Sequence, residues 1–263
     1  MSQGTLEGWD EAESSETNRC LSFIIRGHWA HFRRIEGNIV KQTYRIIPRT
    51  TLAGLVAAIL GMARDSYYDS FAHGNSQVAI EPIGPLRTMN LPQNSLSTAY
   101  KNLKRIPSRG DARISLPDPS KPRQQHNYEV LVDPAYRIDL QLADPELTSQ
   151  LRDRLSAGTS FYPPSLGLSE HLAEVEYLGE HTVGPPVTDT TRVDSVLIDA
   201  IDDIELETDR TVRIERSPGY MQATKAGRTT TGFLSVAYSP SADGILAHDV
   251  TTYCVDDRRV MFS

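Results

Sequence analysis

Strand and helix signals alternate along the first two thirds of the chain in an order that few folds satisfy. Leu21–Arg26 is rich in aromatic and β-branched residues and is punctuated by Gly27, which predicts a strand. Thr43–Ile47 predicts a short extended piece closed by Pro48. Leu52, Leu55, Val56, Ile59, Leu60 and Ala63 share one face of a helix from Thr51 to about Arg64, with Thr50 or Thr51 as N-cap. Gly54, Ala57, Ala58 and Gly61 form a second face of small residues. Glycine inside a helix costs roughly 1 kcal/mol against alanine, so a backbone lying close against a sheet is expected there. Gln77–Ile83 alternates as a strand, and Asn127–Val132 and Tyr136–Leu142 follow as two more, split by Asp133-Pro134. Asp144 caps a second helix with Pro145 at its first position, running to about Leu155, and Leu172–Leu178 is the next strand. Strand–helix–strand, twice over as far as Gly184, predicts a ferredoxin-like α+β sandwich.

The repeat is interrupted by Pro85 to Gln125, a stretch rich in Pro, Asn, Ser and basic residues and poor in large apolar ones. A connection of that length is not filler in a compact domain, and we expect a projecting hairpin or loop with a function. Met1–Arg19, with five acids and few large apolar residues, predicts a flexible tail. Pro185-Pro186 marks a boundary beyond which Val193–Ile198, Thr211–Ile214, Thr231–Ala237 and Asp249–Val255 read as short strands. The expected organisation is a tail over 1–19, a main domain over 20–184 with the projection at about 85–126, and a smaller β-rich subdomain over 185–263.

Charge is distributed unevenly. The net charge is −7, yet Arg26–Arg64 holds seven basic residues against Glu36 alone, and Arg87–Gln125 holds eight against Asp111 and Asp118. Two stretches at +6 each leave −19 for the rest. Local sign, not the total, decides what a surface attracts within a Debye length. With five lysines and 22 arginines, the bias suits either a salt-loving organism or a GC-rich genome. In a very salty cytoplasm phosphate attraction is screened, and arginine forks and stacking must carry more of the binding. The longest apolar run, Leu52–Met62, is about half of the ~20 residues a membrane span needs. Two cysteines, Cys20 and Cys254, give no disulfide framework or zinc site. With no signal-peptide pattern at the N-terminus, a cytoplasmic location is the default.

The basic stretches read as contacts for single-stranded RNA. In the first, Arg26, His28, Trp29, His31, Phe32, Arg33 and Arg34 combine phosphate-neutralising cations with flat rings, and Lys41, Arg45 and Arg49 follow. The bland alternative makes Trp29 and Phe32 core residues, and Arg33 and Arg34 are the firmer members. In the second, Lys101, Lys104, Arg105, Arg109, Arg113, Lys121, Arg123 and His126 recur among Pro, Ser and Gln. A third candidate is Lys225-Ala226-Gly227-Arg228, with Gly219 and Gly232 nearby, where backbone N–H groups can approach phosphate; a plain β-turn explains it nearly as well. The acidic run Asp199–Asp209 reads as a solvated face.

Three blocks carry a family resemblance: Gly27-His28-Trp29-Ala30-His31-Phe32-Arg33, Pro48–Leu55 and Ile59-Leu60-Gly61 at the N-terminus, then Tyr128–Tyr136, then Pro163–Ala173. In that order they resemble the family-five CRISPR-associated proteins, and the type I-B branch of haloarchaea in particular. The resemblance implies a RAMP-type protein with an RRM-like ferredoxin fold and a basic thumb. It implies binding of the repeat-derived five-prime handle of the crRNA at one end of Cascade, against the first backbone subunit and the large subunit. One branch, type I-C, cleaves the precursor RNA instead. In I-B systems a separate subunit cuts the repeat, so binding without catalysis, cofactor or metal is the implied role.

The alternative is a metal-independent, repeat-specific endoribonuclease. Such a reaction needs a base for the ribose hydroxyl and a cation for the developing charge, and Tyr100, Lys101, Lys104 and His126 supply those residue types. His28 and His31 lie three apart without an acidic cluster, which argues against a metal site. Glu170-His171 reads as a stabiliser of the turn after Gly167.

Overall fold

A computed structural model describes residues 18–34, 40–96, 103–106, 114–117, 123–225 and 227–263. Strand β1 (Arg19–Arg26) leads into four two-residue strands, β2 (Trp29–Ala30), β3 (Phe32–Arg33), β4 (Val40–Lys41) and β5 (Thr43–Tyr44), and then helix α1 (Arg49–Leu60). Strands β6 (Ser76–Pro82), β7 (Arg87–Leu96), β8 (Leu103–Ile106), β9 (Ile114–Pro117), β10 (Arg123–Val132) and β11 (Ala135–Leu142) precede helix α2 (Pro145–Ser156) and β12 (Glu174–Thr182). The rest is β13 (Val187–Val193), β14 (Leu197–Ile198), β15 (Arg213–Thr224), β16 (Gly227–Tyr238), β17 (Ile245–Val255) and β18 (Arg258–Val260). The chain is thus an α+β protein, mostly sheet with two α-helices among the described residues. Neither helix is long and apolar enough to cross a membrane.

The central sheet has the order β12-β1-β11-β6 and is antiparallel throughout. Register places Leu21, Phe23 and Ile25 beside Leu140, Ile138 and Tyr136 on one face, where α1 and α2 bury Leu52, Val56, Ile59, Leu151 and Leu155 against them. The other face carries Cys20, Ser22, Asp139, Ala79 and Glu81 and is covered by β17 and β18. Val196, Val236 and Tyr238 join the same core as Phe23 and Leu52, while Val193, Leu197, Ala237 and Ile245 form a second buried cluster among the strands beyond Pro185-Pro186.

Both helix termini illustrate local chemistry. Asp144 caps α2 as expected, its carboxylate accepting from the N–H groups of Glu146 (2.9 Å) and Leu147 (3.3 Å), with Pro145 where a missing N–H does no harm. Helix α1 differs from expectation. It begins at Arg49, and the Pro48 carbonyl, not a threonine side chain, closes its first turn by accepting from Thr51 and Leu52. It stops at Leu60 because Gly61 takes a left-handed conformation, φ 79°. Nor does a sheet fill the gap at Gly54: the Tyr67 hydroxyl lies 3.1 Å from where a Cβ would stand.

Candidate nucleic-acid interface

The two basic stretches meet on β10. Strand β7 pairs with it from Arg87↔Val132 to Leu96↔Arg123, so the expected projection is a long antiparallel hairpin. A smaller hairpin, β8–β9, lies within it. On the opposite edge of β10 the first basic stretch is hydrogen-bonded into the same sheet. Strand β2 pairs antiparallel (Ala30↔Leu131, Trp29↔Val132), and β4 pairs parallel (Val40↔Asn127, Lys41↔Tyr128). Directly paired residues share a face, so Trp29, Lys41, His126 and Tyr128 lie on one side. Glu129 and Leu131 turn to the other side; at this end of the strand both sides are covered, with Val130 and Leu131 each fully buried.

Beneath this surface Arg45 acts as a strut. Its guanidinium donates to Glu129 (2.7 Å) and to the Thr43 carbonyl (3.0 Å). Its backbone N–H and that of Ile46 donate to Glu215, and Tyr136 donates its hydroxyl to the Arg45 carbonyl. Burial pushes the Glu129 carboxyl pKa up, but hydrogen bonds from Arg45 and the Thr43 N–H more than reverse this and leave it below the ordinary value. Glu215 goes the other way: burial outweighs its backbone donors and raises it. Arg45 is therefore committed to protein contacts. Arg33 is exposed and Lys41 half-buried, and neither meets a carboxylate among the described residues. Arg34 stacks 5.4 Å from the Tyr44 ring centre. Arg213, which the sequence did not single out, is exposed and reaches Tyr238 beside Glu215, bringing a fourth cation to this corner.

Several candidates are placed elsewhere, each for a physical reason. Phe32 is 1% exposed and packs 6.2 Å from the Tyr136 ring, so it is a core residue and offers no face to a base. His31 is equally buried, with Nδ1 2.8 Å from the Glu129 carbonyl. Arg49 is buried under α1 and donates to Ser76 and Ser263, tying the C-terminus to β6. Arg26 is ion-paired with Glu176, and His28 lies 3.4 Å from Asp133 on an exposed loop. Lys225 and Arg228 sit at the far end of the β15–β16 hairpin, where Arg228 approaches Asp65 (3.8 Å). Arg228 faces Ala223, eight residues along β15 from Glu215, or about 26 Å at ~3.3 Å per residue. The third candidate does not join the first two. Lys104 and Arg105 lie on β8 and Arg123 on β10, while Lys101, Arg109, Arg113 and Lys121, with Tyr100, fall outside the described residues. His126 is half-buried, its ring 6.4 Å from that of Tyr128.

The family model described as CRISPR-associated protein (Cas_Cas5) matches residues 20–230. The chain belongs to that Cas5 family. Among solved structures, a chain of a CRISPR RNA-guided surveillance complex is similar at 15% identity, covering 86% of this chain and 91% of that one, with a TM-score of 0.49. A CRISPR protein from Archaeoglobus fulgidus is similar at 14% identity, with 92% and 97% covered and a TM-score of 0.47. No curated protein sequence matches.

In this Cas5-family chain the first and last sequence blocks interlock. The His31 N–H donates to Leu166, and the Leu166 N–H donates to His171. Gly27 and Gly167 make the approach feasible. A Cβ on Gly27 would stand 2.8 Å from the Leu172 carbonyl oxygen, and Gly167 is tighter still. Glu170-His171 thus belongs to a clasp that fixes the turn after β1. The clasp fixes the segment between β2, which pairs with β10, and β3, which pairs with β5, and so sets where Arg33 and Arg34 emerge.

Proposed function

We propose that this Cas5-family protein is a non-catalytic crRNA-binding subunit of a type I CRISPR surveillance complex, of the I-B kind found in haloarchaea. On this reading the βαββαβ order and the 4-1-3-2 arrangement of the central sheet form a ferredoxin-like, RRM-like core of the RAMP type. The β7–β10 hairpin is its thumb. The repeat-derived five-prime handle of the guide runs along the thumb base, and the Cascade backbone and large subunits flank it in the cytoplasm. One observation carries the reading: β10 joins both cationic stretches of an acidic chain into one sheet, with Arg33, Lys41 and Arg213 forming no ion pair among the described residues and Arg34 stacked on Tyr44 beside them.

The test is co-purification of guide RNA and partner subunits with a variant carrying alanine at Lys101, Lys104, Arg105 and Arg109. Loss of crRNA is expected, and normal assembly would overturn the proposal. Incubating the protein with repeat RNA in EDTA separates binding from processing. Intact bound RNA is expected, whereas discrete cleavage lost in His126→Ala would establish the nuclease.

A further inference from the structure

The side of β10 that is fully buried at Val130 opens towards the hairpin at Tyr128 and His126, and it carries a row of rings that runs out from the clasp. Tyr128 is its centre. Its ring makes a T-shaped contact with His31 (5.1 Å between centres, 68° between planes) and another with His126 (6.4 Å, 87°). His31 is held by the Glu129 carbonyl and is 1% exposed, so it is a fixed wall; Tyr128 and His126 remain half-open to solvent. Lys41 lies directly across the parallel pair from Tyr128, and Leu91 lies across the antiparallel one. A half-open tyrosine, braced by a buried ring and flanked by a lysine, is not needed to hold the sheet, which its backbone already pairs on both edges.

We propose that Tyr128 is a base-stacking residue, with one unpaired base of the bound strand lying on its ring and the adjoining phosphate on Lys41. This rests on the RNA-binding reading above and adds a defined subsite to it. Edge-to-face contact with His31 restricts the tyrosine's rotamers before RNA arrives, so little side-chain freedom is lost on binding. Every base has a π-face, so the subsite fixes the register of the strand without selecting its sequence. Nothing in the order of residues marks Tyr128 for this. Only its cross-strand partner and its two ring neighbours do.

The experiment uses the full chain and short single-stranded RNAs in which 2-aminopurine replaces one base at a time, its fluorescence falling on stacking. Wild type quenches the probe at one position. Tyr128→Leu removes that quench and weakens binding about 5- to 150-fold, as expected for one base–aromatic stack, while Tyr128→Phe retains both. RNA made abasic at the same position binds wild type as weakly as intact RNA binds Tyr128→Leu, an arm that holds even if the leucine variant folds poorly. Unchanged affinity and an unchanged quench profile in a folded Tyr128→Leu protein would overturn the subsite and leave the RNA-binding role standing. A wild-type chain that binds none of these RNAs would overturn both.

Discussion

Gly167 lies so close to His31 that a Cβ on it would stand 2.1 Å from the His31 carbonyl oxygen, and its φ of 96° excludes most other residues. Gly167→Ala must therefore open the clasp and strain the backbone together. We predict a loss of at least about 2 kcal/mol in urea unfolding, since a left-handed non-glycine residue alone costs of order 1–3 kcal/mol. The displaced β2–β3 segment should also bind RNA more weakly than wild type even where the variant is fully folded. Stability and RNA affinity both matching wild type would show that the clasp can relax freely.

The C-terminal strands are held to the central sheet by charge as well as by apolar packing. Asp139, fully buried, accepts from both the Ser22 hydroxyl (2.5 Å) and Arg258 (2.9 and 3.0 Å), and Arg258 also donates to Glu81 (2.6 Å). Removing one partner of a buried pair strands the other, typically at about 3–5 kcal/mol. Asp139→Ala should fall in that range in denaturant melts. The triple variant Asp139→Ala, Arg258→Met and Glu81→Gln should recover part of the loss, because it removes the guanidinium together with both carboxylates that it pairs. A triple variant less stable than Asp139→Ala alone would refute this account.

Features written in neighbouring residues were legible before the fold was known. Asp144-Pro145 announced α2, the aromatic and β-branched run Leu21–Arg26 before Gly27 announced β1, and the apolar-poor Pro85–Gln125 stretch announced a projecting hairpin or loop. Features made by distant partners were not. Arg45 looked like any other cation of the first stretch until Glu129 and Glu215, 84 and 170 residues away, claimed it. Phe32 sits among arginines in the sequence, yet β3 alternates and points it inward while Arg33 points out. Tyr128 and Arg213 carried no local signal, since their placing depends on the register of β10 with β4 and on where β15 begins. Lys225 and Arg228 matched a loop pattern, but the length of β15 carries them away from the other cations.

Two buried imidazoles in the clasp make stability depend on pH. His31 Nε2 and His171 Nδ1 are buried without a hydrogen-bond partner among the described residues, and burial lowers both pKa values below the ordinary 6.5. The unfolded chain then binds protons that the folded one refuses, so stability is lost as pH falls through about 6.5 towards the folded-state values. Glu215 and Glu81, raised by burial, act in the opposite sense above 4.5. The informative quantity is therefore the difference between proteins. Between about pH 7.5 and 5.5, the urea midpoint of His171→Gln should fall less than that of wild type. Parallel curves would place the proton uptake elsewhere.

Which cations touch phosphate is decided by the salt dependence of binding. For single strands the slope of log K against log salt is about −0.7 per phosphate neutralised. Arg33, Arg34 and Lys41 cluster beside the base of the β7–β10 hairpin, so replacing all three with alanine should reduce the magnitude of the slope by about 2, whatever the RNA sequence. Arg228 approaches Asp65 and lies about 26 Å along β15 from Glu215, so Lys225→Ala with Arg228→Ala should leave the slope unchanged. Arg213→Ala distinguishes geometry from sequence proximity: it lies far from the first stretch in the chain but next to it at Tyr238 and Glu215, and it should reduce the slope by about 0.7. A slope sensitive to Arg228 but indifferent to Arg213 would move the path of the RNA from the base of the β7–β10 hairpin to the β15–β16 tip.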